Sequence, residues 1–263
     1  VSATGKVMAS QLRNVARSRW IAGYAILLAL LTWLLLRFGG TGERALLSLL
    51  NVVLLLLPLV TVVFGTLYVY NAREFIEMLL AQPVGRGALY TGLFAGLVLP
   101  LGGAFLLGVG IPLLVLGGGG PAFPGQAVML MTVGFLLTLV FTAFSLCVAV
   151  LIEDRARGLG AALFVWLLTT LIYDGLILLV TTTFDRYPLE GPLLGMMFLN
   201  PVDLGRVLLL LSFDISALMG YTGAVYQRFF DGPGGVLLAL LMLGVCAGVP
   251  FLLGLHWFRR KDF

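Results

Sequence analysis

The sequence predicts an all-α membrane protein. It has six transmembrane helices, an N-terminal amphipathic elbow helix, and short outer-face helices between spans five and six. Three observations predict it. Apolar residues make up 60% of the chain and charged residues only 11%, where a soluble domain has roughly half and a quarter. Mean hydropathy is +1.09, too apolar for a surface that faces water. Six apolar runs are each long enough to cross the bilayer, which takes about 20 residues at about 1.5 Å each. Lys and Arg gather on alternate connections, as membrane-flanking charge does. Without ten-residue alternation of the barrel type, helices are the spanning element. Residues 1–263 read as one transmembrane domain.

The elements follow in order. In KVMASQLRNVARSRW, Lys6, Arg13 and Arg17 fall in a narrow arc opposite Met8, Leu12 and Val15. A basic face over an apolar face makes a membrane-surface helix. The run behind it is too long for a signal-peptide core, so it reads as a retained anchor. The spans are predicted at 20–38, 46–70, 88–116, 127–152, 159–182 and 235–258. Trp20 and Trp257 stand where interfacial anchors belong. Asn51, early in span two, reads as an interhelical hydrogen bond.

The connection NAREFIEMLLAQPVGRGALY, 71–90, interrupts the apolar pattern. As a helix over 72–82 it puts Phe75, Ile76, Leu79 and Leu80 in one stripe, with Met78 at its edge. Arg73, Glu74, Glu77 and Ala81 form the other face, and Arg73 and Glu77 are four apart and able to pair. Pro83 disfavours helix at Gln82. Two readings fit: a helix in the lipid interface, or one pressed into a cytoplasmic partner. The outer loop GGGGPAFPGQ is short. The inner loop IEDRARG carries Glu153, Asp154, Arg155 and Arg157, either as a solvated loop or as a second partner contact. Asp174 lies about fifteen residues into span five, as a functional acid at membrane depth or at a wet outer rim. In the outer segment 183–234, Asn200 is a good N-cap, Pro201 suits the first helical position and Asp203 favours the helix start. The run 207–213 is too short to span, so this segment reads as helices on the outer surface or on the span ends. Gly92 with Gly96, and Gly244 with Gly248, have the spacing of close helix packing.

Charge sets the orientation. Lys6, Arg13, Arg17, Arg19, Arg73, Arg86, Arg155, Arg157, Arg259, Arg260 and Lys261 fall on one side, and only Arg37, Arg44, Arg186, Arg206 and Arg228 on the other. Both termini are therefore expected in the cytoplasm. The sequence pI of about 9.3 comes from these clusters beside apolar runs and gives no reason to expect nucleic acid. No catalytic set is visible. His256 is the one histidine, Cys147 and Cys246 read as buried structural thiols, and Met196 and Met197 read as packing. Neither a metal motif nor a phosphate loop occurs. No enzyme activity, metal or cofactor is expected of this chain.

The stretch REFIEMLLAQPVGRGALYTG resembles the signature after span two of ABC-2-type transporter permeases. Glu77, Leu79, Leu80, Ala81, Gln82, Pro83, Val84 and Arg86 carry the match. Phe75 and Ile76 depart from it, standing where many members have a Ser-Gly-Thr type turn. The close, FRRKDF, is similar to that family's arginine-rich end, and six spans with both termini inside is its half-transporter layout. The resemblance implies a multi-pass protein of the bacterial inner membrane, paired with a second copy of itself. Two cytoplasmic ABC ATPase subunits would bind the ATP and Mg. Arg73, Glu74, Glu77, Met78, Leu79, Leu80, Gln82, Pro83 and Arg86 would form the docking segment, with the Glu153 loop as a second contact. Asn200, Pro201, Asp203 and Arg206 would meet a periplasmic subunit. LNPVD and the chain length look most like the permeases that support copper-site maturation of nitrous oxide reductase. The alternative is an exporter of a lipid, polymer or peptide. No ladder of Met, Cys or His crosses the spans, which argues against passage of copper itself.

Overall fold

A computed structural model describes residues 19–39, 42–80, 85–116, 123–184, 190–213 and 233–261. The elbow helix expected before Arg19 lies outside these residues, as do Gln82 and Pro83. The described residues are helical, without strands. Helix α1 is Arg19–Phe38, α2 is Gly42–Asn71, α3 is Arg73–Leu80, α4 is Arg86–Leu116 and α5 is Phe123–Leu151. Helix α6, Arg155–Leu167, runs through a π-helical turn, Leu168–Ile172, into α7, Tyr173–Thr183. Helices α8, Glu190–Leu199, and α9, Pro201–Ser212, precede α10, Pro233–Arg260.

Among the described residues six helices are long and apolar enough to cross a membrane: α1, α2, α4, α5, α6 with α7, and α10. Several begin a few residues before the apolar run, at Arg86 and Arg155 for instance, because a helix continues into the headgroup layer where charge is tolerated. Pro58, Pro100, Pro112 and Pro250 lie inside spans, where neighbouring helices stabilise a locally broken ladder.

Helix α5 is the centre. It packs against α2, α4, α9 and α10, while α1 leans on α4 and α6 on α2. Its inward side chains, among them Leu137, Val140 and Phe141, are fully buried. The approach of α1 to α4 depends on Gly108, where a Cβ would lie 2.8 Å from the carbonyl oxygen of Ala25. Gly244 and Gly248, whose spacing fits close helix packing, have nothing within 4 Å of a Cβ position inside the single chain. Span five is the most peripheral: only Gly158, Ala162 and Thr170 are buried along it.

Helices α8 and α9 meet at 111°. Helix α9 is sunk against α5, α10 and α2, with Val202, Leu204 and Leu209 at most 1% exposed. At 12 residues it is about 18 Å long, too short to cross. Asn51 corrects one expectation. It is exposed on α2, and its amide donates to Leu47 O of the same helix at 3.2 Å, because it lies on the side of α2 turned from the core and bonds back one turn.

Candidate functional site

At the ends of the spans expected to face the cytoplasm, here called inner, α2 runs almost directly into α3. Ala72 N donates to Tyr68 O and Ile76 N to Ala72 O, both at 2.9 Å. The apolar stripe of α3 turns inward: Ile76 is 2% exposed, and Phe75, Leu79 and Leu80 are half-buried. Glu74, Glu77 and Met78 face outward. Beneath Ile76, between Tyr90, Phe258 and Arg73, lies a void of about 20 Å³, room for one water.

Ion pairs then tie three separate stretches together. Arg73 Nε lies 3.5 Å from Glu77, and Arg73 Nη2 lies 3.9 Å from Glu153. Arg73 Nη1 also donates to Glu153 O at 3.1 Å. Lys261 Nζ sits 3.2 Å from the same Glu153 carboxylate and donates to Val150 O at 2.8 Å. Arg86 Nη1 donates to Arg259 O at 2.9 Å and Lys261 O at 2.7 Å. Exposed pairs are worth at most about 1 kcal/mol each. Their convergence is what matters, since it joins α3, the inner loop and the end of α10.

A packed contact backs the charges. Tyr70 OH donates to Ile152 O at 2.8 Å, and its ring lies over Gly158, where a Cβ would collide with it. Asp154 caps α6 by accepting from Arg157 N at 2.8 Å. Arg155 and Arg157 are exposed on the first turn of α6.

At the opposite ends of the spans, those expected to face outward, a second constellation holds α9 to span five. Asn200 is the N-cap of α9, its Oδ1 accepting from Val202 N at 3.1 Å. Its Nδ2 donates to Thr169 O at 2.8 Å and to Asp203 Oδ2 at 2.9 Å, so every hydrogen-bonding group of the amide is used. Thr169 belongs to the π-helical turn, an element that often accompanies functional bends. Arg206 Nη1 donates to both oxygens of Asp174, at 2.9 and 2.8 Å, and lies 3.3 Å from Asp203. Tyr173 OH donates to Met196 O at 2.6 Å. Burial pushes the Asp203 carboxyl above its usual range, the neighbouring Asp174 carboxyl adds to this, and the Arg206 charge opposes it.

Sequence reading treated Asp174 and the Asn200, Pro201, Asp203, Arg206 group as separate. The structure brings them together across 32 residues. Pro201 is buried at the first turn of α9. Tyr70, Gly158, Lys261, Thr169 and Tyr173 were not anticipated. The only signal for Gly158 is a glycine in the first turns of a helix, where its low propensity calls for a packing reason.

The Asn200 bonds give one expectation. Asn200→Ala loses both the cap and the tie to Thr169 and should cost about 1–2 kcal/mol, read as a lower Tm of the purified protein in detergent. Asn200→Asp keeps the cap but cannot donate to Thr169 O, so it should recover only part. Full recovery would mean that the tie to span five contributes nothing.

Comparison with known proteins agrees with this architecture. Residues 53–263 match the family described as ABC-2 family transporter protein. Similar proteins include the "Probable ABC transporter permease protein NosY" of Pseudomonas aeruginosa, 28% identical over 268 residues, covering 95% of this chain and 96% of that one. Another, of the same name, from Stutzerimonas stutzeri, is 29% identical over 268 residues, with the same coverage.

Proposed function

Since the chain belongs to the ABC-2 family of transporter proteins, we propose that it is a permease subunit whose inner face is gripped by a cytoplasmic ABC ATPase. One observation carries the reading: α3 has its apolar face held by the span ends and its Glu74, Glu77 and Met78 face outward. Arg73, Glu153 and Lys261 lash it to the inner loop and to α10. A push on α3 therefore reaches spans two, four, five and six together, and α3 acts as a lever. The ATPase would supply the ATP and Mg, and this chain the handle.

Two copies of this chain would sit with two ATPase subunits in the inner membrane, both termini cytoplasmic. The sparse burial of span five leaves a long apolar face for the second copy. At the outer side, α8 and α9 would carry the motion to a periplasmic NosD-like subunit, because the Asn200 and Arg206 contacts bind them to span five. Likeness to the NosY proteins supports a role in copper-site maturation of nitrous oxide reductase. Coupling of this kind needs two states whose balance the partner shifts.

The test is a charge reversal on the lever. Arg73→Glu with Glu77→Arg preserves the pair within α3 but sets a carboxylate against Glu153 and inverts the outward charge. Co-purification of the ATPase should fall about tenfold, a loss of about 1.4 kcal/mol. Stoichiometric recovery of the ATPase with the doubly reversed chain would sink the docking role.

A further inference from the structure

The hydrogen-bond ladder of span two is interrupted at Pro58, which lies inside α2. Proline has no N–H for Leu54 O, and its ring crowds the same turn. The next carbonyl along, Leu55 O, takes a bond from outside the helix: Trp166 Nε1 of α6 donates to it at 3.1 Å. Trp166 lies about 17 Å along the helix from Arg155, near the middle of roughly 30 Å of hydrocarbon. Lipid offers an indole N–H no acceptor, so at this depth the Leu55 carbonyl is what satisfies it.

Trp166 also stands where span five changes its winding. The π-helical turn begins just after it, at Leu168, and Tyr173 N reaches back to Leu168 O. The carbonyl of Trp166 accepts from the hydroxyls of Thr169 at 3.1 Å and Thr170 at 2.6 Å. Thr169 O in turn accepts from Asn200 Nδ2 of α9 at 2.8 Å, and α9 packs against the turn. A chain of bonds thus runs from span two, through Trp166 and the two threonines, to the outer clasp.

We propose that Trp166 is a positioning pin: its bond to the turn opened by Pro58 sets span five against span two, and thereby holds the π winding that engages α9. A proline turn in one span and a π turn in its neighbour are each places where a helix bends. Either alone is ordinary in a membrane helix; here one hydrogen bond joins them. The π turn rewinds as α-helix without breaking the span, so span five has two discrete arrangements, as coupling requires. Motion of α2 that withdraws Leu55 O unpairs the indole and removes the bias toward the π winding. The pin stands on this geometry; that α3 drives it rests on the docking reading above.

The experiment is hydrogen–deuterium exchange read by mass spectrometry, on the protein purified in detergent with whatever partners it retains. Trp166→Phe keeps an aromatic ring and removes the N–H. Exchange should rise about fivefold at residues 168–174 and in the first turns of α9, with α3 and the inner half of α4 unchanged. Pro58→Ala restores the N–H that span two lacks and closes the turn against the indole, so it should raise exchange over the same residues. The double variant should be no worse than the more affected single one, because both act through one bond. Unchanged exchange at 168–174 and α9 in Trp166→Phe overturns the pin. A rise spread evenly over all helices makes the indole mere packing support and overturns it too, as do additive effects of the two substitutions. ATPase co-purification by Trp166→Phe should stay at the wild-type level, and a loss there overturns the pin. The doubly reversed lever tests docking on its own, so the two readings fail separately.

Discussion

Arg206→Ala should unfasten the outer helix pair from span five and lower the thermal stability of the purified protein by about 2 kcal/mol. That is less than the roughly 3–5 kcal/mol for breaking a fully buried pair, because Asp174 is 40% exposed and water partly screens it. The larger part of the loss comes from Asp203, which is 7% exposed and would be left beside Asp174 without its cation. The pH dependence separates this mechanism from simple loss of packing. Buried Asp203, left without Arg206, binds a proton more readily than in the unfolded chain. The deficit should therefore be largest well above the carboxylate range and shrink as pH falls from about 8 to about 5. A deficit independent of pH would mean that the guanidinium acts as a spacer. Asp174→Asn should be milder, since Arg206 keeps Asp203 as a partner.

Gly158→Val should be the most damaging single change at the inner face. The Tyr70 hydroxyl, with the ring edge behind it, occupies the place of the new side chain, so either that side chain or the start of α6 must move. Overpacking of this kind costs about 1–3 kcal/mol. The bond from Tyr70 OH to Ile152 O is lost with it, and span two separates from the loop that bears Glu153. ATPase stimulation by the assembled complex should fall more steeply than protein yield. Tyr70→Phe isolates the hydrogen bond and should cost about 1 kcal/mol. Trimming the ring further in a Gly158→Ala, Tyr70→Leu pair should restore part of the stability. If the pair is no better than Gly158→Ala alone, the collision is not the cause.

The six spans were legible because length and hydropathy alone force them, and α3 because a stripe at 100° per residue leaves little choice of face. The ends were less legible: the helices at Arg86 and Arg155 start within charged sequence, which hydropathy marks as loop. Helix α9 had the right start, Asn200, and the right length limit. Its depth was not readable, since Val207 to Leu210 fit a lipid surface as well as a protein interior. The partnership of Asp174 with Arg206 depends on the fold bringing positions 32 apart together, and no local pattern announces it. The same holds for Lys261 and Glu153. Lys261 reads as membrane-flanking charge and Glu153 as part of a solvated loop or a second partner contact, and only the convergence of three chain segments pairs them.

The π-helical turn at Leu168–Ile172 also fixes an angle. Wound as ordinary α-helix, those five residues would carry everything beyond them round the axis by roughly a quarter of a revolution. Asp174 would then swing away from Arg206, and Tyr173 from Met196. The outer clasp is thus keyed to the winding of span five. A twist applied at one end of that screw would be read at the other as engagement or release, with no need for the intervening helix to slide.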